Sequence, residues 1–282
     1  MRIGLHLSTA GTLDDFHAEA AAAHDLDAAW ANLQPGGWDP LTLLPSVEGP
    51  AELGTAVVPT YPQHPAALAT EALTAQALTG GRLTLGIGPS QEFAITGWWG
   101  IPYTKPASHT REYLEVLRPL LRGEHVKHSG EFFTVDYQLE VTAPEPQVLL
   151  AALGPRMLGI ARDLADGTIA VWVRPDTIEN YFVPRLGPGR RVVTVVMVGV
   201  TGDPDGVREQ VARQMAIVRE LPAYQTVLAR GGLSGPADAA VVGDETTVVR
   251  ELRRFRDAGV TDLIVIPVTE RGPVLEAALQ AR

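Results

Sequence analysis

Pro146-Gln147-Val148-Leu149-Leu150-Ala151-Ala152-Leu153-Gly154-Pro155-Arg156 carries an apolar, strand-like run through one glycine and a proline straight into a helix. From Met157 the apolar residues recur at helical spacing (Met157, Ile160 or Ala161, Leu164, with Leu158 and Ala165 beside them), and Gly167 stops the pattern after Asp166. Pro155 suits the first helical position, where a missing N–H leaves no bond unmade. The amides of Gly154, Arg156 and Met157 are then left at the positive end of the helix dipole, just past the carboxyl end of a buried strand. In an α/β protein that location binds phosphate. The same residues also make an ordinary strand-to-helix turn, and the rest of the chain decides between the two.

Working outward, seven further strand candidates accompany Val148–Leu153: Arg2–Leu7, Asp27–Asn32, Leu53–Val58, Leu83–Ile87, Thr168–Val173, Val192–Val200 and Asp262–Ile266. Most are short, continuously apolar runs, as expected of parallel strands buried on both faces. Helical patterns fall between them at Leu13–His24, Ala66–Leu78, Ala107–Leu121, Pro155–Ala165, Asp176–Val183, Asp205–Leu221 and Glu245–Ala258. Eight strand-helix units in a chain of 282 residues is the arithmetic of a single (β/α)8 TIM barrel domain spanning 1–282, with an open doubly wound sheet as the runner-up. The surplus length falls after strand 4, in Gly88–Tyr103 and Gly123–Pro146, and near strands 7–8, in Pro222–Val242. A small hairpin is expected around Ser129-Gly130, and Pro119 is expected to kink or shorten its helix.

The formal charge of −10 argues against sequence-independent nucleic-acid binding, which needs clustered positive charge, and against an anionic membrane surface. With no Cys, thiol nucleophiles, thiolate metal sites and disulfides are excluded, which suits a cytoplasmic protein. No basic segment followed by an apolar core opens the chain, and no apolar stretch is long enough to span a bilayer.

Familiar catalytic motifs fail one after another. Gln91 stands where a dinucleotide fingerprint after Gly86-Ile87-Gly88 needs its third glycine, and Ser90 lies outside any nucleophile elbow. The seven histidines include no metal-binding pair with a third ligand; His125 and His128 read as solvated, and no metal is expected. The strands end instead in small hydrogen-bonding groups: His6-Leu7-Ser8, Asn32-Leu33-Gln34, Pro59-Thr60 and Gly88-Pro89-Ser90-Gln91. Such groups suit a flat polar heterocycle, so a cofactor is expected to carry the hard step. His6 is the best candidate proton carrier, since imidazole titrates near neutrality. Trp98 and Trp99 fall in a long loop at a strand's carboxyl end, where they form either a substrate-pocket wall or a satellite cluster pinning the loop.

Leu53-Gly54-Thr55-Ala56-Val57-Val58-Pro59, His64-Pro65, Gly80-Gly81-Arg82-Leu83-Thr84-Leu85-Gly86-Ile87-Gly88, His109-Thr110-Arg111-Glu112-Tyr113 and Gly154-Pro155-Arg156 together resemble the luciferase-like monooxygenase superfamily over nearly the whole chain. Trp99-Gly100-Ile101-Pro102, Arg111-Glu112-Tyr113-Leu114 and Leu164-Ala165-Asp166-Gly167 resemble its branch that uses the deazaflavin coenzyme F420. The resemblance implies a hydride-transferring oxidoreductase acting on a small organic substrate with a polarised C=C, C=N or C=O bond. FMN-dependent monooxygenation is the alternative, and a non-catalytic ligand-binding barrel a second one. It also implies a non-proline cis peptide at Ala56-Val57 against the deazaflavin, close approach at Gly88, and the cofactor phosphate at Gly154, Pro155 and Arg156. His109 and Arg111 are expected near the substrate, Arg111 alternatively pairing with Glu115. Lys105, Arg156 and Arg174 are candidate cations for the cofactor's anionic tail. Homodimerisation is common in the superfamily.

Overall fold

The computed structural model describes residues 1–282. Its strands are β1 (Arg2–Leu7), β2 (Ala28–Ala31), β3 (Glu52–Thr55), β4 (Val58–Pro59), β5 (Leu83–Gly88), β6 (Val126–Ser129), β7 (Thr134–Tyr137), β8 (Gln147–Ala151), β9 (Gly167–Val171), β10 (Arg191–Val200), β11 (Val241–Gly243) and β12 (Asp262–Pro267). Its helices are α1 (Leu13–Ala22), α2 (Pro40–Leu43), α3 (Pro65–Leu78), α4 (Glu92–Trp99), α5 (Pro106–Leu121), α6 (Pro155–Leu164), α7 (Pro175–Thr177), α8 (Val183–Leu186), α9 (Pro204–Gln214), α10 (Pro222–Arg230), α11 (Pro236–Ala239), α12 (Glu245–Asp257) and α13 (Arg271–Gln280).

The chain divides into two compact bodies, one made of Met1–His6, Ala152–Leu158 and Gly167–Arg282, the other of Leu7–Ala151 and Gly159–Asp166. In the first, the strand order is β9-β10-β12-β1, all parallel, with Arg191 opposite Gly167, Val193 opposite Asp262 and Arg2 opposite Asp262. In the second it is β2-β3-β5-β8, also parallel, with Ala28 opposite Glu52, Leu53 opposite Leu83 and Thr84 opposite Gln147. Four strands and their helices in each body make up the (β/α)8 barrel that the alternation predicts. β3 and β5 are buried at every position, their polar Glu52, Thr55 and Thr84 included, as expected of parallel strands covered on both faces. Within the second body Trp30 of β2 is wholly buried and lies directly against Gly54 of β3, where any side chain would strike the indole. The amino ends of strands are tied by charge. Asp262 takes Arg191 at 2.9 Å in the first body, and Asp166 takes the Val148 amide at 2.7 Å and Arg118 at 2.6 Å in the second.

Several local expectations change. α5 continues through Pro119 and ends at Leu121, so the proline does not shorten the helix as expected. The segment expected as one helix from Asp176 is α7, a wide π turn over Ile178–Phe182, and α8; the helix expected to reach Leu221 ends at Gln214 and passes into a 3-10 turn. Trp98 and Trp99 lie on a helix, α4, rather than in a loop. The hairpin around Ser129-Gly130 is β6–β7, antiparallel, with Ser129 opposite Thr134. In the surplus before β12, β11 pairs the last residues of β10, with Val198 opposite Val241. α13 follows β12, unanticipated because its apolar residues do not fall on one stripe.

Candidate functional site

In the body of Leu7–Ala151 the candidate residues Asn32, Ala56, Val57 and Gly88 lie at or just past the carboxyl ends of β2, β3 and β5. The third barrel strand is interrupted between β3 and β4, and the Ala56-Val57 peptide there is cis, at the position that the sequence resemblance implied. The backbone around the break stays paired: the Ala56 amide donates to Ala31 at 2.8 Å, Leu33 to Val57 at 3.2 Å and Thr60 to Gly88 at 2.9 Å. Just before it, the Thr55 hydroxyl donates to the Gly86 carbonyl at 2.7 Å and accepts from the Gly86 amide at 2.8 Å, standing in for a ladder rung. Asn32 is half-buried after β2, its carbonyl accepting from the Thr9 hydroxyl at 2.9 Å. Gly88 owes its lack of a side chain to strand packing: a Cβ there would lie 2.9 Å from Ala151 Cβ and 3.3 Å from Val57 Cγ2.

Beyond β4 an aromatic box closes around His109, in the first turn of α5. Tyr61 stacks on its imidazole with centroids 3.9 Å apart and planes 5° from parallel, and Phe132 and Phe133 present their edges at 5.2 Å. The Tyr61 hydroxyl is anchored on the Thr104 carbonyl at 2.7 Å, and Tyr103 donates to the carbonyl of Ser90, a non-glycine residue at φ +62°. Burial pushes His109 down to about 4, against the upward pull of Glu112, and lifts Tyr61 to about 12. Near neutrality both groups are therefore uncharged. His109 Nδ1 and the hydroxyls of Thr60, Thr110 and Tyr113 are buried with no hydrogen-bond partner. Buried polar groups are seldom left so, and these four, one just past β4 and three on the first two turns of α5, make a candidate place for a polar guest.

The box is held by Glu112. Its carboxylate accepts from the amides of Phe133 at 2.7 Å, Phe132 at 3.0 Å and Glu131 at 3.1 Å, and meets His128 Nε2 at 3.1 Å. Burial raises this carboxyl, but the Phe133 amide, His128 and the Phe132 amide outweigh it and hold it below its usual range. His128 is therefore a structural partner rather than a solvated side chain, while His125 lies exposed against Asp136 at 2.9 Å. Arg111 pairs with Asp163 at 3.5 Å instead of Glu115, and Lys105 with Glu131 at 2.6 Å. Trp98 and Trp99 are exposed, at 50% and 38%, and their ring contacts are with Phe93 and each other, apart from the rings around His109.

In the other body, His6 is half-buried near the end of β1. Gly154 precedes α6, whose first residue is Pro155, and the first helical bond runs from the Leu158 amide to the Gly154 carbonyl at 2.9 Å. The amides of Gly154, Arg156 and Met157 take no part in the backbone hydrogen bonds of this turn. A Cβ built on Gly154 would meet nothing within 4 Å, so the turn opens on free space that a small anion fits and a side chain would fill. Arg156 is exposed, and Arg174 is turned to Glu251 at 3.6 Å. Sequence reading missed the box's anchors, Tyr61 and Glu112; a buried acid among apolar helix positions was the available signal. No helix is long and apolar enough to cross a membrane.

Comparison with known proteins bears on the family and the fold. The family model described as luciferase-like monooxygenase matches residues 17–262. A putative coenzyme F420-dependent oxidoreductase of Mycobacterium tuberculosis is 30% identical over 206 residues, covering 64% of this chain and 58% of that protein. A 5,10-methylenetetrahydromethanopterin reductase of Archaeoglobus fulgidus is 31% identical over 210 residues, covering 71% of this chain and 63% of that protein. The matches thus span about three fifths of these relatives' lengths. In fold, the chain superposes on an F420-dependent secondary alcohol dehydrogenase solved with an F420–acetone adduct at a TM-score of 0.82, with 17% identity, over 100% of this chain and 99% of that one.

Proposed function

Because the chain belongs to the luciferase-like monooxygenase family, we propose that it is an oxidoreductase using coenzyme F420 to pass a hydride to or from a small, uncharged organic substrate with a polarised C=C, C=N or C=O bond. The observation that carries this reading is the open turn at Gly154, with three amides available at the start of α6 and no atom within 4 Å of where a Cβ would stand. Gly154, Pro155 and Arg156 hold the cofactor's phosphate there. Bound, the deazaflavin supplies the two-electron chemistry that no side chain of this protein provides. Asn32, Ala56, Val57 and Gly88 offer the ring a surface of backbone and small side chains at the ends of β2 to β5. His109, held neutral, gives a hydrogen bond to an uncharged oxygen or nitrogen of the substrate and no ion pair to a carboxylate. His6 holds or releases the accompanying proton at its imidazole. Trp98 and Trp99 form an outer substrate wall.

Fluorescence titration with the deazaflavin and with FMN tests the reading. Deazaflavin binding that Gly154→Val weakens roughly tenfold or more, about 1.4 kcal/mol, is expected. Tight FMN binding without deazaflavin binding would overturn the cofactor assignment, and binding of neither would favour a non-catalytic barrel.

A further inference from the structure

In the body that contains the start of α6, a cavity of about 620 Å³ is lined by Pro155, Asp176, Tyr181, Arg185 and Arg230, among others. Its floor is an arrangement of two cations on one ring. The Arg185 guanidinium carbon lies 3.9 Å and that of Arg230 3.8 Å from the Tyr181 ring centroid. Two such groups cannot share one face at that distance, so they flank the ring. Each is fixed by a carbonyl: Arg185 donates to Tyr181 at 3.0 Å, and Arg230 reaches the Leu153 carbonyl at 3.4 Å, one residue before Gly154.

Neither arginine has a carboxylate partner, although the chain carries 33 acidic residues against 23 basic ones. Asp176, the acid in the lining, is engaged by Arg254 at 3.0 Å. Tyr181 itself is 8% exposed, and its hydroxyl is buried without a hydrogen-bond partner. Two close, unneutralised guanidiniums repel each other, and an orphaned buried hydroxyl is costly; an anion with several acceptor oxygens relieves both. A phosphate at Gly154 would not satisfy them alone, because Arg185 and Tyr181 belong to α8 and the turn before it.

We propose that this cavity is a second anion site, continuous with the Gly154-Pro155 turn through Pro155 and Leu153, that takes carboxylates carried beyond the phosphate on the cofactor's tail. The proposal rests on the deazaflavin reading above. It makes tail charge a determinant of cofactor choice, since coenzyme F420 extends past its phosphate into glutamates and FMN ends there. Arg185 and Arg230 bind the carboxylates and Tyr181 donates its hydroxyl to one of them.

The test is direct binding, read by deazaflavin fluorescence, with the glutamylated coenzyme, its tail-less form and FMN. The wild-type chain is expected to prefer the glutamylated form, and Arg185→Gln and Arg230→Gln each to weaken that form alone by about fivefold, the scale of one exposed ion pair. Tyr181→Phe keeps the stacked ring and removes only the hydroxyl. It guards against a folding defect and is expected to lower affinity for the glutamylated form while leaving the tail-less one unchanged. Equal affinity for the two forms in the wild type, unaltered by either arginine substitution, overturns the second site while the cofactor reading stands. Binding of FMN with neither deazaflavin overturns both, and free glutamate competing as well as the tailed coenzyme would show a general carboxylate site unconnected with the cofactor.

Discussion

His109 shows how a single residue's chemistry is made by its neighbours. In the sequence it was one of seven histidines, placed near the substrate only by resemblance. Packed under Tyr61 and edged by two phenylalanines, it is lowered to about 4 from 6.5. The sign of the resulting pH dependence follows. Between those values the unfolded chain binds a proton at this position that the folded chain refuses, so stability is lost as pH falls from 7 toward 4, by at most about 3 kcal/mol. Urea unfolding at pH 7.5 and 4.5 should show that loss in the wild type and a smaller one in His109→Phe; equal losses would remove the assignment. Gly54 belongs to the same scale. Trp30 occupies the space of its missing side chain, so Gly54→Ala should cost roughly 1–3 kcal/mol by overpacking and lower the midpoint of unfolding.

At the scale of elements, the β6–β7 hairpin is fastened to α5 through one carboxylate. Glu112 gathers three successive amides and a histidine, and Gly130 has no side chain because Glu112 lies where one would be. Glu112→Gln keeps an acceptor oxygen and removes the charge. It should destabilise by about 1–3 kcal/mol and speed hydrogen exchange at Glu131, Phe132 and Phe133, with α6 amides unaffected. The clamp was not legible in the sequence, where Glu112 read as part of a motif and the hairpin as an isolated insertion. Strands were the most legible elements: β1 and β10 match the apolar runs nearly residue for residue. Helices interrupted by wide or tight turns, such as Ile178–Phe182 and Ala216–Glu220, were not, because their composition does not differ from that of regular helix.

For the whole molecule, the cofactor reading predicts a stability change that needs no substrate. A ligand that binds only the folded chain adds about 2.7 kcal/mol at one hundred times its dissociation constant. Glutamylated F420 should raise the melting temperature accordingly in calorimetry, and FMN at equal concentration should raise it less; the reverse order would favour the FMN-dependent alternative. The fold class and the strand-to-helix turn at Gly154-Pro155 were written in local sequence, since apolar runs of strand length, helical spacing and a Gly-Pro step report backbone geometry over a few residues. The start of α6 at Pro155 falls where that local reading put it, and the cis step at Ala56-Val57 where the family resemblance implied it. Tertiary structure decided what the charges do: it withdrew Lys105, Arg111 and Arg174 into ion pairs and left Arg185 and Arg230 together on one tyrosine. The reason is physical. Charge and burial depend on distances between residues far apart in the chain, and those distances exist only once the strands have been brought side by side.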